Sequence, residues 1–155
     1  MTYRCAANHL TTALSKNSDN SGLDLNILFV ETDYLLASGT VRLLQQQSGY
    51  CVNATDRPDV VLEQCESGQV DLVLLNAKLG TIDGQGRGAG SVDLSQQLKN
   101  NPKTAHIPIV LLAAYGLPEP RSQWLKTYQA DVVFSPPMTT ECSQLVEIFV
   151  HFRGL

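Results

Sequence analysis

The side chains able to do chemistry fall where apolar runs stop. Leu72 to Leu75 is an unbroken aliphatic run, opened by the carboxylate of Asp71 and closed by the amide of Asn76. An earlier run, Asn26 to Val30 (NILFV), ends in Glu31-Thr32-Asp33. Short continuous apolar runs bounded by polar residues read as strands buried on both faces, as in a parallel sheet covered by helices. In open parallel sheets the chemistry lies just beyond the carboxyl ends of the strands. Asn76 and the Glu31-Thr32-Asp33 cluster occupy such places. By itself an amide there caps the strand end and satisfies local backbone groups.

Other candidates are weaker. Cys5, Cys51, Cys65 and Cys142 make no C-x-x-C pair and read as buried or incidental thiols of a reducing compartment. His9, His106 and His151 lie far apart, without metal-ligand spacing. The stretch from Gly80 to Gly90 carries glycine at 80, 84, 86, 88 and 90. Neither the dinucleotide fingerprint nor the Walker pattern is matched there, so it reads as a flexible surface loop, with Arg87 its natural anion contact. No nucleophile–base pair or metal cluster can be assembled from these residues.

Five strands alternating with five helices position them. The strands are Asn26–Val30, Tyr50–Ala54, Asp71–Asn76, Ile107–Ala114 and Asp131–Ser135. A helix from Tyr34 to Gln47 carries Leu35, Leu36, Val41, Leu43 and Leu44, with Gly49 ending it. The next has Asp56 as N-cap, Pro58 in its first turn and Gly68 as its stop. A short helix spans Val92–Leu98, a fourth carries Trp124, Leu125 and Tyr128, and Thr139–Phe152 closes the chain. Such alternation predicts a doubly wound α/β fold, a parallel sheet of order 2-1-3-4-5 with right-handed crossovers. Residues 1–24 stand apart as an arm and linker; Met1 to Lys16 has the pattern of one weak amphipathic helix, and 25–155 forms one domain.

Composition narrows the function classes. The chain has 155 residues, 43% hydrophobic and 17% charged, with a formal net charge of −4. That balance gives no general attraction to nucleic acid or anionic lipid. No run approaches the roughly 18–20 apolar residues of a membrane helix, and the N-terminus lacks a signal-peptide pattern. A cytoplasmic protein is expected.

The order of motifs resembles a receiver domain of the two-component response-regulator family over about residues 25–153. Asn76 to Gly84 (NAKLGTIDG) resembles that family's D-x-x-L-P-x-M-D-G segment, Ile107 to Ala114 (IPIVLLAA) its I-P-V-I-x-L-T-A strand, and Ala130 to Pro137 (ADVVFSPP) its A-D-x-[YF]-x-x-K-P ending. The resemblance implies the flavodoxin-like five-stranded fold. Carried over residue by residue, it also implies a degenerate phosphorylation site. The acceptor aspartate is Asn76, and an amide lacks the anionic oxygen that attacks phosphorus. The acidic pair is Glu31-Thr32, with one carboxylate left, so tight magnesium binding is not expected, although Asp33 offers a partial substitute. The phosphoryl-gripping hydroxyl is Ala113, the aromatic switch Val133, and the lysine Pro136.

The reading is therefore a pseudo-receiver, non-catalytic and without cofactor. It would act in signal transduction by binding a histidine kinase, another regulator or a second copy. Trp124, Tyr128, Phe134 and Met138 are the candidate interface residues. Two alternatives stay open: a pseudo-receiver sensing a small ligand such as a quinone, and a receiver phosphorylated at a displaced aspartate, Asp83 or Asp71.

Overall fold

The computed structural model describes residues 2–3, 25–32, 34–48, 50–77, 90–112 and 121–134. In chain order these form β1 (Thr2–Tyr3), β2 (Asn26–Val30), α1 (Tyr34–Ser48), β3 (Cys51–Thr55), α2 (Pro58–Glu66), β4 (Leu72–Asn76), α3 (Ser91–Asn100), β5 (Ile109–Leu112), α4 (Arg121–Tyr128) and β6 (Val132–Phe134). The sheet order is β1-β3-β2-β4-β5-β6. From β2 onward every pairing is parallel, so the five parallel strands follow the expected 2-1-3-4-5 order.

The apolar runs are continuous because both faces of the sheet are covered, and side chains alternate between them. Leu28, Val30, Val73, Leu75, Ile109 and Leu111 pack on one face with Val61 and Cys65 of α2, Leu94 and Leu98 of α3 and Tyr128 of α4. Ile27, Phe29, Leu72, Leu74 and Val110 pack on the other with Ala37, Val41 and Leu44 of α1. Those α1 positions are spaced i, i+4 and i+7, which makes one helical stripe. Leu35, expected among the apolar positions of α1, lies off that stripe and is 78% exposed.

Three local expectations are corrected. Thr2–Tyr3 is not helical; it pairs antiparallel with β3, Thr2 opposite Thr55 and Tyr3 opposite Ala54, adding a short sixth strand at the edge. The N-cap of α2 is Arg57, not Asp56, and no side chain caps it. Pro58 fixes the first helical turn, which leaves Asp56 one residue too early to reach the free N–H groups. The last two strands also begin later than expected, at Ile109 and Val132, and the Asp131 carboxylate accepts the Ile109 N–H at 2.8 Å.

Helix ends obey backbone chemistry. Gly68 follows α2 at φ +80, the left-handed conformation glycine adopts freely. At the end of α4 the same turn is made by Gln129, at φ 55. There Gln129 N–H donates to Lys126 and Ala130 N–H to Leu125, the paired bonds of a Schellman motif without its usual glycine. The closing helix expected over Thr139–Phe152 lies outside the described residues. Among the described residues no helix is long and apolar enough to cross a membrane.

Candidate functional site

Register brings the candidate groups together. Val30 of β2 pairs with Leu75 of β4, so the next residues, Glu31 and Asn76, emerge side by side at the carboxyl end of the sheet. Each continues the alternation that sends Ile27, Phe29, Leu72 and Leu74 to the α1 face. Both side chains therefore turn the same way and meet.

Glu31 is only 2% exposed. Burying a carboxylate is unfavourable unless hydrogen bonds replace its water. Asn76 Nδ2 donates to Glu31 Oε2 in a short contact, and the Thr32 backbone N–H donates to Oε1 at 2.9 Å. The amide orientation is forced, because a carboxylate only accepts and only the NH2 end of Asn76 donates. Glu31 N–H is also anchored, to the Thr55 carbonyl at 3.1 Å. The Thr55 hydroxyl oxygen in turn accepts Arg57 N–H at 3.2 Å, fixing the turn into α2. Thr32 is exposed.

A second layer holds the strand end from below. The Ala77 carbonyl, one residue past Asn76, accepts the Ser91 hydroxyl at 2.7 Å and the Tyr128 hydroxyl at 3.0 Å. The Ser95 hydroxyl donates to the Tyr128 carbonyl, and Ala77 N–H donates to Leu112 at 2.9 Å. Helices α3 and α4 thus clamp the residue next to Asn76. Trp124 stacks on Tyr128, with ring centroids 5.4 Å apart and planes 4° from parallel.

A magnesium ion does not fit this donor set. Such an ion takes hard oxygens in near-octahedral array. Here the buried carboxylate already accepts two N–H bonds, and the neighbouring amide points its N–H2 at it. Among the described residues no cluster of three His, Cys, Asp or Glu could hold a metal.

Of the residues singled out in the sequence, the structure brings Glu31, Thr32 and Asn76 to one strand-end cluster. Sequence reasoning missed their support, Thr55, Ser91 and Ser95. Small hydroxyl residues carry no sequence signal until the partner carbonyl is known. Val133 is buried in β6 on the α2–α4 face. Tyr128 leaves the interface set: it is 7% exposed, and its hydroxyl is committed to Ala77. Trp124 is partly buried against the same core. Phe134 ends β6, its side chain outside the described set. Asp33, Asp83, Arg87, Ala113, Pro136 and Met138 also fall outside the described residues. Asp71, one of the two displaced acceptors considered, lies at the wrong end of β4. Its carboxylate accepts Asn26 N–H at 2.8 Å, about 16 Å along the strand from Asn76 at 3.3 Å per residue.

Cysteine chemistry is quiet here. Burial pushes the Cys65 thiol up from 9.0 to about 12, so it stays protonated and unreactive. On the surface, Arg57 hydrogen-bonds Asp59 through two nitrogens, at 3.2 and 2.5 Å. That contact raises the guanidinium and holds the Asp59 carboxyl below the usual carboxylate range.

Comparisons with known proteins agree with this architecture. The family model of the response regulator receiver domain matches residues 27–146. The receiver domain of a sensor histidine kinase from Pseudomonas aeruginosa PAO1, with magnesium coordinated in its own cleft, superposes with a TM-score of 0.67 at 17% identity, covering 85% of this chain and 99% of that one. The N-terminal domain of a response regulator receiver protein from Methanoculleus marisnigri JR1 superposes with a TM-score of 0.57 at 25% identity, covering 81% and 94%. Among curated proteins, the cyclic di-GMP phosphodiesterase response regulator RpfG of Xanthomonas campestris pv. campestris is 26% identical over 137 residues, which is 84% of this chain. The chain spans 34% of that relative's length.

Proposed function

The chain belongs to the response regulator receiver domain family, and from that premise we propose that it is a pseudo-receiver. In this reading it takes no phosphoryl group, turns over no substrate and signals by binding another protein. The observation that carries the proposal is the hydrogen bond from Asn76 Nδ2 to the buried Glu31 carboxylate. Phosphoryl transfer to a strand end needs an anionic nucleophile and positive charge to stabilise the transferring group. Asn76 offers a neutral amide whose N–H2 is engaged. Glu31, the carboxylate left of the acidic pair, has both oxygens accepting hydrogen bonds. In the sequence, Ala113 and Pro136 stand where the family carries a hydroxyl and a lysine, and neither grips a phosphoryl group.

A site without a phosphate switch leaves recognition to surface shape and charge. The partner proposed is a signalling protein, a histidine kinase or another regulator. The hydrolytic activity in the curated relative's name is not part of this reading.

The test is exposure of the purified chain to acetyl phosphate and magnesium, read by intact mass. The expected mass is unchanged. Addition of one phosphoryl group overturns the proposal, and its loss in Asp83→Asn would assign it to the displaced acceptor. Native mass spectrometry on protein isolated gently from its own cells reads the interaction half. A bound polypeptide supports it, whereas a small organic adduct on a lone chain replaces it with ligand sensing.

A further inference from the structure

The edge of the sheet at β3 is built unlike a protected edge. Exposed edge strands normally carry lysine, proline or a bulge that discourages pairing with another chain. Strand β3 reads CVNAT, with neither charge nor proline, and its register with β2 runs without interruption from Cys51 to Thr55. Its outward groups can be identified. Cys51 N–H donates to Leu25 and the Thr55 carbonyl accepts from Glu31, so residues 51, 53 and 55 turn their backbone groups inward to β2. Backbone groups alternate along a strand, hence Val52 and Ala54 present theirs to the outer edge.

Both positions are covered from within the chain. Tyr3 lies opposite Ala54, in the place where a pair exchanges both N–H···O bonds. The Val52 carbonyl accepts Gln45 Nε2 of α1 at 3.2 Å. A two-residue strand and one side chain thus do what gatekeeper residues do elsewhere.

We propose that the β3 edge is a self-association surface, and that Thr2–Tyr3 with Gln45 is its removable cover. The partner it fits is the same edge of a second copy, running antiparallel. A two-fold axis through Asn53 sets Val52 of each copy opposite Ala54 of the other, so the outward groups of both strands pair with one another. Such an interface is isologous and closes at two chains. No charge on β3 opposes its own copy across the axis. The cover belongs to the same chain, so it competes intramolecularly, at an effective concentration on the order of a millimolar. The covered chain therefore stays single at micromolar concentration, and displacing the cover is what exposes the edge. This inference is independent of whether Asn76 can be phosphorylated.

The experiment compares the full chain with Tyr3→Pro/Gln45→Ala by sedimentation equilibrium, after far-UV circular dichroism has shown that both are folded. Proline removes the N–H that Tyr3 offers Ala54. The expected result is a mass that rises with concentration toward twice that of the wild type. Asn53→Lys on the same background should reverse the rise, because it sets like charges across the axis. Register is read with Asn53→Cys: residues directly opposite at a non-hydrogen-bonded position have Cα atoms about 4.5 Å apart, within disulfide reach. A disulfide-linked dimer is expected under mild oxidation in the uncovered variant, and not with the cover intact. Equal masses for covered and uncovered chains at every concentration overturn the proposal, as does association that Asn53→Lys leaves untouched.

Discussion

Replacing Asn76 by aspartate tests the central contact directly, because it exchanges a donor for a second acceptor without changing size. In the wild type Asn76 Nδ2 donates to a Glu31 side chain that is 2% exposed. A hydrogen bond to a charged group stabilises by about 1.5–3 kcal/mol. An ionised aspartate at this position would lose that bond and add repulsion of about 4 kcal/mol at 4 Å with an effective dielectric of 20. The variant has an escape that limits the damage. The new carboxyl can take a proton and donate to Glu31 as the amide did. From an ordinary aspartate pKa of about 3.9, holding a proton at pH 7 costs about 4 kcal/mol at 1.36 kcal/mol per unit. Remaining ionised would cost more than this, the lost bond and the repulsion together, so the protonated route sets the loss at pH 7, about 4 kcal/mol.

The sign of the pH dependence follows. The new carboxyl's folded pKa is raised above its unfolded value. Its proton-linked stability is complete below about pH 3.9 and is lost as pH rises toward the folded pKa. Urea denaturation should show a deficit that shrinks to about 1–2 kcal/mol at pH 5. Asn76→Ala supplies the control, since it removes the donor without adding a charge and should cost about 1.5–3 kcal/mol. A variant Asn76→Asp within about 0.5 kcal/mol of wild type at pH 7, a margin typical of uncoupled surface changes, would refute the reasoning. It would mean that Glu31 does not depend on the Asn76 amide.

Three further outcomes are expected. Tyr128→Phe removes one of two hydroxyl donors on the Ala77 carbonyl and should lower stability by about 0.5–1.5 kcal/mol; combined with Ser91→Ala in a double-mutant cycle, the loss should exceed the sum, and strict additivity would separate the two donors. Lys99 Nζ donates to the Ile107 carbonyl at 2.9 Å and to Asp131 at 2.8 Å. Lys99→Met should cost about 1–2 kcal/mol in urea denaturation, a figure discounted because the Asp131 side chain is 38% exposed; an unchanged midpoint would make the contact ornamental. Cys65 should resist alkylation at neutral pH while the half-buried Cys51 reacts, as peptide mapping after iodoacetamide would show. Its thiol is raised in the folded state, so that contribution is complete below 9.0 and is lost as pH rises toward about 12. Cys65→Ala should flatten this alkaline decline, which is at most about 1.4 kcal/mol per pH unit.

Much of the fold was legible in the chain because both faces of the sheet are buried. Runs such as Leu72–Leu75, bounded by polar residues, read as strands between two helical layers, and turn residues such as Gly68 mark where helices stop. Gln129 shows the limit: it adopts a left-handed turn that nothing in its side chain announces, because the paired bonds to Lys126 and Leu125 hold it there. Helix starts were less legible than helix stops. Pro58 and Asp56 both favour a helix beginning, and only the backbone path decides that Arg57 is the cap. The edge segment Thr2–Tyr3 was invisible, since two residues carry no periodicity and their pairing with Ala54 and Thr55 is wholly long-range.

The site divides the same way. Residue types by themselves determined that Asn76 carries no nucleophilic oxygen, and that Glu31 is the carboxylate of its pair. Those are properties of functional groups and need no coordinates. Tertiary structure decided what the groups do to each other. Parallel register places Glu31 beside Asn76, burial makes the carboxylate dependent on donors, and the amide then supplies one. It also moved Tyr128 from a surface role to the clamp on Ala77, and put Asp71 at the far end of the strand. The physical reason is that a sequence lists donors and acceptors, while only the packed chain determines which of them share a place without water.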